Sequence, residues 1–278
     1  RPALRYWPPM VADPSPQDAP GEEPGARMTF RAHLEELRGR VVRALLVLGV
    51  LFLVGWFGFG DQLKIFFISP HLDAVESLAA ADPPREVKRE LQILSPLEDI
   101  FYTLKVSALS AALVGLPFLL YQVWAFVAAG LFKRERRAVM RFLPWALLFA
   151  LAGMVFGYTF MIPTILEYLY AMPDQEYFSQ GYRLSDYFSL FLMFTFALAL
   201  IFQLPILMMG VSAAGLASAS FFAKYRRHFI LVAFVLGAML TPPEPFSQLL
   251  MAAPTIVLYE LGLYLVRLRE RRAKGARA

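Results

Sequence analysis

The sequence predicts an all-α integral membrane protein: six transmembrane helices in a concave bundle, with both termini on the cytoplasmic side. Three observations carry that expectation. The 278 residues are 58% hydrophobic and only 18% charged, with positive mean hydropathy, which leaves too little polar surface to cover a water-soluble fold of this length. Apolar runs of about 18 or more residues recur, as membrane helices require. Lys and Arg gather in every second connection between those runs, which places those connections in the cytoplasm. The +5 net charge is therefore read as a topological signal, and no nucleic-acid partner is expected. Cysteine is absent, so disulfides, thiolate catalysis and Cys-ligated metals are excluded.

Along the chain, residues 1–27 hold seven prolines and little apolar periodicity, and are expected to form a disordered cytoplasmic leader ahead of Met28. They lack the apolar core and cleavage site of a secretory signal. The membrane domain is expected over residues 28–268 and a basic cytoplasmic tail over 269–278. "FRAHLEELRGR" is an amphipathic entry to a first span over about 41–59. Residues 60–94 read as a long loop punctuated by Pro70, Pro83 and Pro84. "SPLEDIF" opens the second span, with Ser95 as N-cap, Pro96 in the first turn and Glu98 completing a capping box. A helix from there to Phe132 would run roughly 55 Å, so its charged start should project beyond the ~30 Å hydrocarbon core. Further spans are expected near 142–165, 187–211, 229–240 and 247–266. The fifth is short, roughly 18 Å, and ends at "TPPEP", which cannot continue a helix.

Chemistry-bearing motifs are scarce. No phosphate-binding loop or zinc-type His-Glu motif is present, and the three histidines lie outside the apolar runs. No cofactor is expected, and any work must be driven by another subunit or by the membrane potential. Within the spans Gln203 and Glu260 are the polar candidates. Against a functional role stand two plainer ones: an interhelical hydrogen bond for Gln203, and pairing with nearby arginines for Glu260. The Gly153–Gly157 spacing marks close helix contact, and Pro117, Pro144, Pro163, Pro205 and Pro254 should bend nearly every span. Two acids, Glu36 before the first span and Glu135 inside "LFKRERRAV", sit at the same membrane face. They are either surface ion pairs worth about 0–1 kcal/mol, or a paired-carboxylate receptor for a peptide carrying two guanidinium groups.

These stretches resemble the TatC family, the multi-spanning receptor of the twin-arginine protein translocase. "HLEELRGR" (33–40) is similar to its amino-terminal motif, "LYQVWAFVAAGLFKRERR" (120–137) to its first cytoplasmic loop, and "LTPPEPFSQLLMAAP" (240–254) to its last periplasmic turn. The resemblance covers about residues 28–268. It implies a receptor rather than an enzyme, in the bacterial inner membrane, that binds twin-arginine signal peptides of folded cargo and draws on the protonmotive force. Glu36 and Glu135 would engage the paired arginines, with Arg38 and Phe126 in the same two motifs. Gln203 stands where several members carry Glu. Glu244 and Gln248 would belong to the region that docks TatA- and TatB-type single-span partners, and Pro70 to the cap over the first periplasmic loop. A homo-oligomer within a larger complex is implied. The rival from another class is a secondary transporter for a small solute with Gln203 and Glu260 at a midplane site; it predicts an inverted repeat, and no internal symmetry relates residues 28–141 to 142–268.

Overall fold

The computed structural model describes residues 30–82, 84–85, 87–129, 141–173, 181–241 and 244–275. Glu135 and the leader at 1–27 therefore lie outside the described residues. Among the described residues ten α-helices follow one another: α1 (Phe30–Gly58), α2 (Gly60–Ala79), α3 (Glu98–Val114), α4 (Leu116–Ala129), α5 (Leu143–Phe156), α6 (Ile162–Ala171), α7 (Leu184–Ile201), α8 (Leu204–Ala213), α9 (Ala219–Leu240) and α10 (Pro245–Gly275). A π-helical turn, Gly157–Met161, joins α5 to α6. Among the described residues the only strand-like feature is one parallel bridge between Gln92 and Arg183.

Among the described residues four stretches are long and apolar enough to cross a membrane: His33–Gly58, Leu143–Ala171, Leu184–Ala213 and Pro245–Ala273. A fifth is reached if the bent pair α3–α4 counts as one span. The second span is thus not a straight 37-residue rod, because its two halves meet at 60°. Pro117 is the cause. It cannot donate to the carbonyl four residues back, and its ring displaces that carbonyl. α1 packs into the bend, where a Cβ on Gly115 would sit 3.1 Å from Leu48 and 3.2 Å from Leu51. Prolines also lie where the other spans change geometry. Pro163 follows the π-helical turn, and Pro205 follows the break between α7 and α8. α9 recruits the polar residues from Ala219 onward, so its 22 residues reach roughly 33 Å despite the short apolar run.

Residues 60–79 are a helix, not the loop that Pro70 was expected to break. The backbone groups Pro70 leaves unpaired are rescued by side chains. The Phe66 carbonyl, four residues back, accepts from Ser69 Oγ (3.0 Å) and from Tyr158 OH (2.7 Å). The Phe67 carbonyl accepts from Tyr187 OH. Pro70 itself is buried within α2. The capping box at 95–98 also takes another form. Helix α3 begins at Glu98, which reaches back to Leu94 N–H (2.9 Å) and across to Ser185 N–H at the start of α7 (2.9 Å). This carboxylate therefore ties two segments together rather than closing its own cap.

The main core joins α2, α3, α6 and α7 around Phe67, Phe188, Phe191 and Phe194, each at most 2% exposed. A second cluster, Trp124 with Ala146 and Ile206, joins α4, α5 and α8. Gly153 and Gly157 do mark a close approach: added Cβ atoms would lie 2.7 Å from Phe202 Cγ and 2.8 Å from Leu198 Cδ1, on the facing α7 segment.

His71, on α2 and outside every candidate span, is fully buried. Its Nδ1 is 2.8 Å from Tyr170 OH and its Nε2 3.2 Å from the Arg89 carbonyl. Burial holds the imidazole below its ordinary value of 6.5. Between that lowered native value and 6.5 the unfolded chain takes up a proton that the native chain does not. Stability is therefore full above the window and falls as pH drops through it. Melting temperature in detergent should hold steady from about pH 8 to 7 and decline below about 6.5, and His71→Asn should remove that part of the decline. A wild-type-minus-variant difference that stays flat across that range would overturn this account.

Candidate functional site

The basic clusters meet at one end of the bundle. The Ala219 N–H that opens α9 donates to Glu270 Oε1 near the end of α10 (2.8 Å), and Arg141, just before α5, shares a cleft with Arg269 and Arg272. The start of α1 meets the end of α4 there as well, and this junction holds the densest set of predicted site residues.

Helix periodicity assembles the junction. Glu36 and Arg40 are four apart on α1, so they share a face. Arg40 Nε donates to Glu36 Oε1 (3.0 Å), Arg40 Nη2 reaches the same oxygen, and Arg40 Nη1 crosses to Gln122 Oε1 on α4 (3.3 Å). One turn before Glu36, His33 stacks on Phe126, ring centroids 4.3 Å apart at 19°. Gln122 and Phe126 are likewise four apart on α4. The two helices therefore present matched polar and aromatic rungs.

What this leaves open is specific. Glu36 Oε2 and His33 Nδ1 are both buried and, among the described residues, without a hydrogen-bond partner. Glu36 is 20% exposed and Arg40 only 12%. A carboxylate with one oxygen fixed by its own arginine and the other unmet can take a further cationic donor on the free side. Arg38, two residues on from Glu36, is exposed and lies about 200° around α1 from it, toward the opposite face.

The other predicted residues lie elsewhere and have structural partners. Gln203 Nε2 donates to the Ala146 carbonyl (3.2 Å), which holds the α7–α8 break against α5, while its Oε1 is buried without a partner. Glu260 is ion-paired with Arg226 on α9 (Nη2–Oε2 2.8 Å, Nε–Oε1 2.7 Å). Gln203 and Glu260 thus attach to different neighbours. Glu244 caps α10, accepting from Phe246 N–H (2.8 Å) and Ser247 N–H (2.7 Å). Gln248 Nε2 donates to the Phe234 carbonyl (3.0 Å) and so pins α10 to α9. Gln122 was not among the expected site residues, and His33 and Arg40 had no assigned role. The available signal was spacing: Glu36 to Arg40 and Gln122 to Phe126 are both i,i+4.

Comparison with known proteins adds an independent line. The model of the family described as Sec-independent protein translocase protein (TatC) matches residues 32–254. A TatC of Koribacter versatilis is 35% identical over 271 residues, covering 96% of both chains. A TatC of Halothiobacillus neapolitanus is 34% identical over 253 residues, 90% of this chain; the match spans 64% of that relative's length. The crystal structure of a twin-arginine translocase receptor TatC superposes with a TM-score of 0.70 at 28% identity, covering 85% of this chain and 98% of that one. The same receptor solved in DDM gives 0.71.

Proposed function

The chain belongs to the TatC family of Sec-independent protein translocase proteins, and from that premise we propose that it is the receptor subunit that recognises twin-arginine signal peptides. One observation carries the reading: among the described residues Glu36 keeps a buried oxygen unpaired at the α1–α4 junction while Arg40 holds the other. An incoming guanidinium would complete that carboxylate, and Glu135 in the neighbouring loop would take the second arginine. Arg38 and Phe126 would flank the peptide.

In the same reading the helices make six spans with both termini cytoplasmic in the bacterial inner membrane. α3–α4 counts as one span and α9 as the fifth. The concave side accepts the apolar part of the signal. The α9–α10 hairpin, built by Glu244 and Gln248, offers the docking region for TatA- and TatB-type single-span partners. Copies of the chain assemble within the complex, and export draws on the protonmotive force.

The test is binding of a twin-arginine peptide to the detergent-purified chain, with a Lys-Lys peptide as control and Glu135→Ala alongside wild type. Planar bidentate pairing should favour the Arg-Arg peptide by at least about tenfold, and the variant should lose most of that preference. Equal binding of the two peptides by wild type would sink the receptor reading.

A further inference from the structure

A cleft of about 620 Å³ opens between α5, α8 and the end of α10, and among the described residues none of α1 or α4 lines it. Its chemistry divides sharply along its length. At the basic end its rim is formed by Arg141, Arg269 and Arg272. Among the described residues none of these three lies within salt-bridge reach of a carboxylate, and Arg269 makes one neutral contact, to Ser212 Oγ (3.3 Å). The acid nearest to Arg269 and Arg272 along the chain, Glu270, is already committed to the Ala219 N–H, and the acid nearest to Arg141, Glu135, lies outside the described residues.

Below that rim the walls are apolar. On α10, Leu261, Leu265, Leu268 and Arg272 follow at i, i+4, i+7 and i+11, so one stripe carries three leucines beneath a guanidinium. From Leu261 to Arg272 the stripe rises about 16 Å, which is roughly one leaflet of a ~30 Å hydrocarbon core. Opposite it, α5 contributes Trp145 and Phe149, with Trp145 one turn beneath Arg141, the depth at which indole rings favour a membrane interface.

We propose that this cleft is a binding site for one anionic phospholipid. The phosphate headgroup sits among Arg141, Arg269 and Arg272, and an acyl chain lies along the α10 leucine stripe against Phe149. Charge complementarity selects the headgroup: three guanidinium groups with no ion pair among the described residues form a positive rim, and phosphate accepts from such donors in bidentate fashion. Leaflet depth selects a lipid over a free anion, because an inorganic phosphate would leave the apolar trough empty. The proposal rests on the cytoplasmic placement of this end, where anionic lipids and basic interhelical pockets meet.

The test uses the full-length protein in detergent, with native mass spectrometry reading bound lipid as dioleoyl phosphatidylglycerol, dioleoyl phosphatidylcholine or sodium phosphate is titrated. Wild type should retain one phosphatidylglycerol tightly and discriminate against phosphatidylcholine. The triple substitution Arg141→Gln, Arg269→Gln, Arg272→Gln should weaken phosphatidylglycerol on the order of a hundredfold, and each single substitution by about fivefold. A triple Arg→Lys variant, keeping the charge but not the bidentate fork, should recover part of the loss and shows that the fold tolerates change at these positions. Leu265→Trp, which fills the trough without touching the charges, should also expel the lipid. Equal retention of the two lipids, binding of inorganic phosphate that Leu265→Trp leaves intact, or full phosphatidylglycerol binding by the triple Gln variant would each overturn the proposal. Loss of twin-arginine peptide binding would not bear on it, so this site and the receptor reading fail separately.

Discussion

Glu36→Gln is expected to weaken binding of a twin-arginine peptide by about ten- to a hundredfold while leaving the fold intact. The magnitude follows from removing one charge-assisted hydrogen bond, worth about 1.5–3 kcal/mol at a site screened from water. Glu36 qualifies, since its side chain is 20% exposed and its Oε2 is buried. Gln is nearly isosteric with Glu, so the α1–α4 packing and the His33–Phe126 stack are kept. What is lost is the second carboxylate oxygen, because an amide offers a donor where the guanidinium also brings donors. Gln122→Ala separates positioning from recognition. It frees Arg40 from α4 but leaves the carboxylate, so its effect should be several-fold smaller. Peptide titration by calorimetry or fluorescence, with a melting curve for each variant, reads both. Unchanged affinity in a folded Glu36→Gln protein would refute the role of this acid.

Local features of this chain are legible in its sequence, and partners distant along the chain are not. Spans were legible because length and apolarity are local: the helices over 143–171, 184–213 and 245–273 lie where the apolar runs predict. Bends were legible in kind, since proline removes a donor wherever it stands. Their consequence was not. Pro117 folds one span by 60°, whereas Pro70 is absorbed into α2 because Ser69, Tyr158 and Tyr187 supply the missing donors to the freed carbonyls. Tyr158 and Tyr187 lie about 90 and 120 residues away in the chain, so no local pattern announces them. Glu98 shows the same limit, because its second partner, Ser185, is 87 residues distant. At the candidate site Glu36 and Phe126 stood out through the motifs that hold them. Gln122 did not, since a lone Gln in an apolar run reads as packing until Arg40 is seen to cross to it.

The tertiary rescue of α2 implies that its hold on the bundle is concentrated in few residues, and Phe67→Ala should be the most damaging single truncation there. Phe67 is 1% exposed and meets three rings edge-on: Phe66 at 5.2 Å, Phe191 at 5.3 Å and Phe188 at 6.3 Å, all within about 3° of perpendicular. Truncating a buried Phe costs about 3–5 kcal/mol through lost transfer energy and the cavity left behind. Two features of the site set the value near the lower end of that range. Phe67 also lines an apolar cavity of about 440 Å³ between α2, α3, α5 and α7, so neighbouring side chains have room to relax. The Phe67 carbonyl keeps its bond from Tyr187 OH after truncation, so the proline bypass survives and the helix itself should not unravel. The expected signature is a fall in melting temperature on the order of 5–10 °C in detergent, with helical circular dichroism before the transition unchanged. Phe66→Ala is the internal control: its side chain is next in sequence but 50% exposed, so its truncation should cost less than half as much. Equal shifts for the two variants would mean that α2 is held by its backbone bonds to Tyr158 and Tyr187 and not by the ring cluster around Phe67.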